Sequence, residues 1–170
     1  MWNKIIQIWK INDLRKSILF VLSMLIIFRI AAHIPIPGVD TVALKSLFQN
    51  NQLLGLMNIF SGGSMENFSV VLLGIAPYIT ASIIFQLLTM VIPQLEELSK
   101  EGDYGRKKIN QWTRWLTVPL AFFQSFAMIT LLRQSAINVL PNYTSWQVLT
   151  AMITITAGTV FLMWIGELIS

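Results

Sequence analysis

The sequence predicts an all-α membrane protein with four helices that cross a bilayer and one helix too short to do so. Three observations carry that prediction. Only 12% of the 170 residues are charged and 55% are hydrophobic, with a mean hydropathy of +0.65; a soluble domain carries about 25% charged residues. The charges cluster and leave long uncharged runs between them, near the roughly 20 residues that cross a hydrocarbon core about 30 Å thick. One apolar run, LLGLMNIF at 53–60, instead stops at Ser61, Gly62 and Gly63, and as a helix it reaches only about 12 Å.

Composition also excludes several kinds of chemistry. Cysteine is absent, which removes disulfides, thiolate metal sites and thiol nucleophiles. His33 is the sole histidine, so a multi-histidine zinc site is not expected. SGGS at 61–64 lacks the Gly-Lys-Ser/Thr ending of a phosphate loop. No HExxH, no paired intramembrane carboxylates and no Ser/His/Asp set stand out, and Glu96, Glu97, Glu101 and Asp103 alternate with basic residues as on a solvated surface. The expectation is a protein that is not an enzyme and holds no cofactor or metal. The net charge of +4 comes from Lys and Arg flanking the apolar runs, which the positive-inside rule explains without nucleic acid.

The elements follow in order. Residues 1–16 interleave Trp2, Ile5, Ile6, Ile8, Trp9 and Ile11 with polar residues, an amphipathic segment on the cytoplasmic face. A first span at 17–32 ends at HIPIPG, where Pro35 and Pro37 cannot continue a helix. No small-residue cleavage site follows it, so it reads as retained. Arg29 lies within a turn of its exit; snorkelling, a structural ion pair and an ion-pathway role are all open to it. Residues 33–67 lie on the far side and contain the short helix at 53–60.

A second span at 68–92 ends at Pro93. Thr80, Ser82, Gln86 and Thr89 punctuate it, and Gly74 and Pro77 loosen it, leaving the Leu73 carbonyl in need of a partner. On the residues alone it is either a bundle-core helix or a pathway-lining one. Ile75, Ile79 and Ile83 share one helical face by their spacing. That is either ordinary packing or a hydrophobic constriction. A basic loop at 93–111, a third span at 112–132, an external loop at 133–145 and a fourth span at 146–169 complete the chain, with Glu167 near the last exit. Lys and Arg gather before the first span and between the second and third, which places the N-terminus, the 93–111 loop and the C-terminus in the cytoplasm.

Four stretches, FRIAAHIPIPGVD (28–40), NIFSGGSMENFSVVLLGIAPYITASIIFQLL (58–88), KEGDYGRKKINQWTRW (100–115) and GTVFLMWIGELI (158–169), together closely resemble the SecY family. That family is the central pore subunit of the Sec protein-conducting channel, and the resemblance is to its bacterial or plastid branch. It runs in order over nearly the whole chain and is weakest at 134–145. It implies the first four spans of a ten-span fold built from two inverted halves, with the fifth span, the second half and the opposite gate wall lying outside this chain. A different class, a four-helix membrane scaffold or small transporter subunit, is the alternative.

The resemblance also implies roles. Leu53, Leu54, Gly55, Leu56, Met57, Asn58, Ile59 and Phe60 match the plug, a re-entrant helix that blocks the outer funnel. Gly62 and Gly63 suit its turn back, and Asn58, its polar exception, is expected to bond to a neighbouring helix. Ile75 and Ile79 match two members of the pore ring. Thr80, Ile83 and Gln86, with Thr113, Arg114 and Gln124 on the third span, are placed near one wall of the lateral gate. The implied partners are SecE-like and SecG-like subunits, the SecA motor or the ribosome, a nascent or secretory polypeptide, and lipid. The implied location is a cell (inner) membrane or a plastid membrane, multi-pass, with no sequence-specific nucleic-acid binding.

Overall fold

A computed structural model of the chain describes residues 12–39, 42, 44–46, 52–60, 63–134 and 144–169. Six helices are described: α1 (Asn12–Ala32), α2 (Gln52–Phe60), α3 (Ala76–Val91), α4 (Pro93–Lys100), α5 (Asp103–Gln134) and α6 (Ser145–Ile169). The amphipathic segment expected at 1–11 and most of the loop expected at 133–145 lie outside the described residues.

Among the described residues, α5 and α6 are each long and apolar enough to cross a membrane. Helices α3 and α4 qualify only as a broken pair, bent by 104° at Ile92. The 21 residues of α1 do not qualify. Every stretch of 18 residues in α1 includes Arg15, Lys16 and Arg29, which confine its uncharged part to 17–28.

The greatest departure from expectation lies at 68–75, expected as helix and found as a series of turns. Phe68 and Gly74 both take positive φ, 46° and 57°, which a right-handed helix does not accommodate. The segment instead pairs with the chain leaving α1 through an antiparallel bridge between Pro35 and Ser69. In that bridge Ile36 N donates to Phe68 O (3.0 Å) and Val70 N donates to Ile34 O (3.1 Å). Pro77 therefore stands in the first turn of α3 rather than inside a longer helix, where its missing N–H costs nothing. The Leu73 carbonyl, expected to lack an intrahelical donor, accepts from Ala76 N at 3.3 Å. At its other end α3 stops because Ile92, preceding Pro93, is held extended at φ −100° and ψ 112°. Pro93 then opens α4, so the basic stretch 93–111 is largely α4 and the first turns of α5.

Packing centres on this non-helical segment. Phe68, Val71 and Leu72 are fully buried. Phe68 and Leu72 join Ile36, Leu44, Ile129, Leu132, Val148 and Ile155 in one apolar cluster, and Val71 joins Ala31, Ala32, Leu162 and Ile165 in another. Helix α6 closes on the segment at Gly158, where a Cβ would stand 1.9 Å from the Val70 carbonyl oxygen. The buried hydroxyls of Ser69 and Thr159, on either side of this seam, have no hydrogen-bond partner among the described residues.

Helix α5 packs against α3 and α6 along a stripe that includes Thr113, Thr117, Ala121, Ser125 and Ile129, spaced by four. Small side chains at that spacing let helix backbones approach closely. The Thr113, Thr117 and Ser125 hydroxyls bond to carbonyls of Ile109, Thr113 and Phe122 in their own helix, so none demands a partner across the seam.

Candidate functional site

The fold leaves one face of α3 uncovered. Ile75, Ile79 and Ile83 are each about half exposed, at 49%, 48% and 50%, while Pro77 and Ala81 turn inward. Ile79 N donates to Ile75 O at 3.0 Å, which fixes the first two isoleucines one turn apart. Leu87, Met90 and Val91 extend the apolar surface. Thr80 and Gln86 are exposed polar residues on the same helix. The Thr80 hydroxyl donates to Ala76 O (3.0 Å), and the Gln86 carbonyl accepts from the Thr89 hydroxyl (2.7 Å).

Ile75 also borders a cleft of about 430 Å³ lined by Tyr78 from α3, Asn110 and Arg114 from α5, and Leu162, Met163, Gly166 and Glu167 from α6. Across it Arg114 Nε is ion-paired with Glu167 Oε1. Glu167 thus has a structural partner, and the cleft combines an apolar wall with one neutralised charge pair. Of the positions assigned to the gate wall, Arg114 is turned toward α6, Thr113 is buried, and Thr80, Ile83 and Gln86 are exposed on α3. Gln124, half buried on α5, stands about 15 Å along the helix axis from Arg114. The structure therefore brings Ile75 and Arg114 to one cleft and leaves Gln124 at another level.

Near the end of the basic stretch, Lys108 Nζ stands 5.6 Å from the Tyr104 ring and 6.0 Å from that of Trp112. Trp112 in turn meets Phe85 at 6.4 Å between centroids, which ties the start of α5 to α3.

The short helix is present as α2, nine residues long. The side chains of Leu53, Leu54, Met57 and Phe60 lie outside the described residues; Gly55 and Asn58 are half buried, and Leu56 and Ile59 are exposed. Beyond its end, Gly63 takes φ 82°, a conformation glycine adopts without penalty, and donates its N–H to Asn58 O at 2.9 Å. The Asn58 side chain, expected to bond to a neighbouring helix, has one partner just beyond the end of its own. It bonds to the turn that follows: Nδ2 donates to Glu66 Oε2 (2.9 Å), and Glu66 N donates to Oδ1 (3.1 Å). Among the described residues, no other helix backbone approaches α2 closely.

Sequence reasoning missed Glu66 and the cleft formed by Tyr78, Asn110 and Glu167. A signal for Glu66 existed, since it is the sole carboxylate between Asp40 and Glu96.

Comparison with known proteins bears on what this surface is for. A family model described as SecY matches residues 69–170. "Protein translocase subunit SecY" of Streptomyces scabiei is 47% identical over 174 residues, covering 95% of this chain and 40% of that protein. The proteins of the same name from Buchnera aphidicola subsp. Schizaphis graminum and Corynebacterium glutamicum are each 47% identical, covering 94% and 98% of this chain and 37% and 40% of their own lengths. The chain thus spans about two fifths of the curated relatives it matches. With more than half of its length matched by the family model and close relatives along nearly all of it, the chain belongs to the SecY family.

Proposed function

We propose that this chain forms the N-terminal part of a protein-conducting channel that passes unfolded polypeptides across a membrane and releases hydrophobic segments sideways into it. The observation that carries the reading is the half-exposed row of Ile75, which caps α3, with Ile79 and Ile83 along it, in a chain of the SecY family whose relatives are named protein translocase subunits. Branched aliphatic side chains at a constriction exclude water and ions by dewetting, and they yield by rotamer change when a peptide pushes between them. Ile75 and Ile79 supply part of that collar. The exposed Thr80, Ile83 and Gln86 on α3, with Thr113, Arg114 and Gln124 on α5, form one wall of a sideways opening. Residues 53–60, carried on α2, act as its stopper from outside.

In this reading the four crossings are α1, the stretch 68–92 ending in α3, α5 and α6. The N-terminus, α4 and the end of α6 face the cytoplasm of a multi-pass protein in a cell membrane. The work is passive. SecE-like and SecG-like subunits complete and clamp the pore, and a SecA-like motor or a ribosome supplies the drive.

The test is ion conductance of the reconstituted full-length channel carrying Ile75→Gly and Ile79→Gly. Lowering the permeation barrier by only about 1.4 kcal/mol raises leak about tenfold, and that rise is expected. An unchanged leak overturns the assignment of the collar.

A further inference from the structure

We propose that Glu66 is a positioning residue whose carboxylate, through Asn58, forms a releasable catch holding α2 in its resting place. The inference deepens the stopper reading of α2 and rests on it. A helix that must leave its seat and return needs a tie that is specific yet separable. The geometry supplies one. Asn58 uses both ends of its carboxamide on one residue, donating Nδ2 to Glu66 Oε2 at 2.9 Å and accepting the Glu66 N–H on Oδ1 at 3.1 Å.

The far side of the catch is anchored. Ser69 N donates to Ser64 O (3.0 Å), Phe68 N donates to Met65 O (3.1 Å), and Phe68 O accepts from Ile36 N (3.0 Å). Ser64, Phe68 and Ser69 are all fully buried. Glu66 therefore stands on a fixed platform, and Asn58 stands on the helix that leaves. The exposed Leu56 and Ile59 add little apolar adhesion from their side of α2.

The chemistry fits the task. A hydrogen bond to an ionised carboxylate is roughly twice as strong as a neutral one, so a single side-chain pair suffices to define a resting position. Both bonds are only partly buried, so water or the backbone amides of an entering peptide can replace them bond for bond. An apolar latch of equal strength would offer no such exchange.

The experiment uses the full-length channel with its partner subunits in vesicles. Amide hydrogen exchange is followed across 52–60, together with ion leak and the melting temperature. Glu66→Ala removes the acceptor. Asn58→Asp keeps an oxygen for the Glu66 N–H but sets carboxylate against carboxylate. Each is expected to speed exchange in α2 about tenfold, the factor carried by one charge-assisted hydrogen bond, with the melting temperature unchanged.

The double variant Asn58→Asp with Glu66→Gln reverses the polarity, the glutamine amide donating to the aspartate, and is expected to restore slow exchange. Exchange within twofold of the native protein in Glu66→Ala, or no recovery in the double variant, overturns the catch. Faster exchange with a raised leak supports both catch and stopper. Faster, rescuable exchange with no change in leak upholds the catch and overturns the stopper reading.

Discussion

Replacing Gly158 with alanine adds a single methyl group where α6 meets the backbone of the 68–72 segment. Built on the present backbone, that carbon lies 1.9 Å from the Val70 carbonyl oxygen, 2.7 Å from its carbon and 3.3 Å from Val71 N. Ordinary contact begins at 3.4 Å, so helix and segment must part by about 1.5 Å. Neither can do so freely. Val71 and Leu72 are fully buried on one side, and Val70 N is committed to Ile34 O.

Overpacking of this kind costs about 1–3 kcal/mol, and a backbone obstacle places it at the upper end. Alanine in place of glycine within a helix returns about 1 kcal/mol, leaving a net loss of about 2 kcal/mol, toward thirtyfold in the folding equilibrium. Gly166, on the same helix, provides the control, because a Cβ there meets nothing within 4 Å. Gly166→Ala receives the propensity gain alone, so the two variants should differ by about 3 kcal/mol. Helicity measured by circular dichroism during titration with a denaturing detergent reads both. If Gly158→Ala unfolds no earlier than Gly166→Ala, α6 does not close on residue 70 and the packing described for this seam is wrong.

Two further perturbations test the charge pairs. Reversing Arg114 or Glu167 singly should weaken the bundle, and reversing both should recover most of the loss. The coupling in a double-mutant cycle is expected near 1 kcal/mol, since the pair is only partly shielded; additive single effects would mean that it contributes nothing. On α4, a hydrogen bond and the charge of Lys100 hold the Glu96 carboxyl below its ordinary value. A depressed value in the folded state makes the contribution present above the ordinary carboxylate range and lost as pH falls through the lowered one. Lys100→Met should move the Glu96 titration midpoint, followed by carboxyl carbon NMR, up toward that ordinary range. An unmoved midpoint refutes the pairing.

How much of this was legible in the chain depended on what each signal measures. The long uncharged runs marked the parts of α5 and α6 suited to lipid, but α5 begins at Asp103, well before the run expected at 112–132. Arg106, Lys107 and Lys108 indicate where a helix meets water, and they are good helix formers that need not end it. At 68–75 apolarity was read as helix. A buried irregular segment is equally apolar, and two of its backbone groups, Phe68 O and Val70 N, are satisfied by Ile36 and Ile34, residues far away in sequence. The spacing of Ile75, Ile79 and Ile83 did reveal a shared face, because a four-residue interval is local information. The pairing of Arg114 with Glu167 was hidden, since each is an ordinary charge near an apolar run until the fold joins them. Asn58 stands out in the sequence as the polar residue of its helix, but nothing local marks Glu66, eight residues on, as a partner.

The right-angled junction at Ile92 has a mechanical consequence. Because α4 leaves α3 at 104°, a twist of α3 about its own axis would swing α4 as a crank arm about 12 Å long. The start of α5 lies so close to α4 that a Cβ on Gly105 would fall 1.7 Å from the Leu98 carbonyl oxygen. The arm thus joins α3 to the start of α5, as a bottom rail joins the two stiles of a shutter.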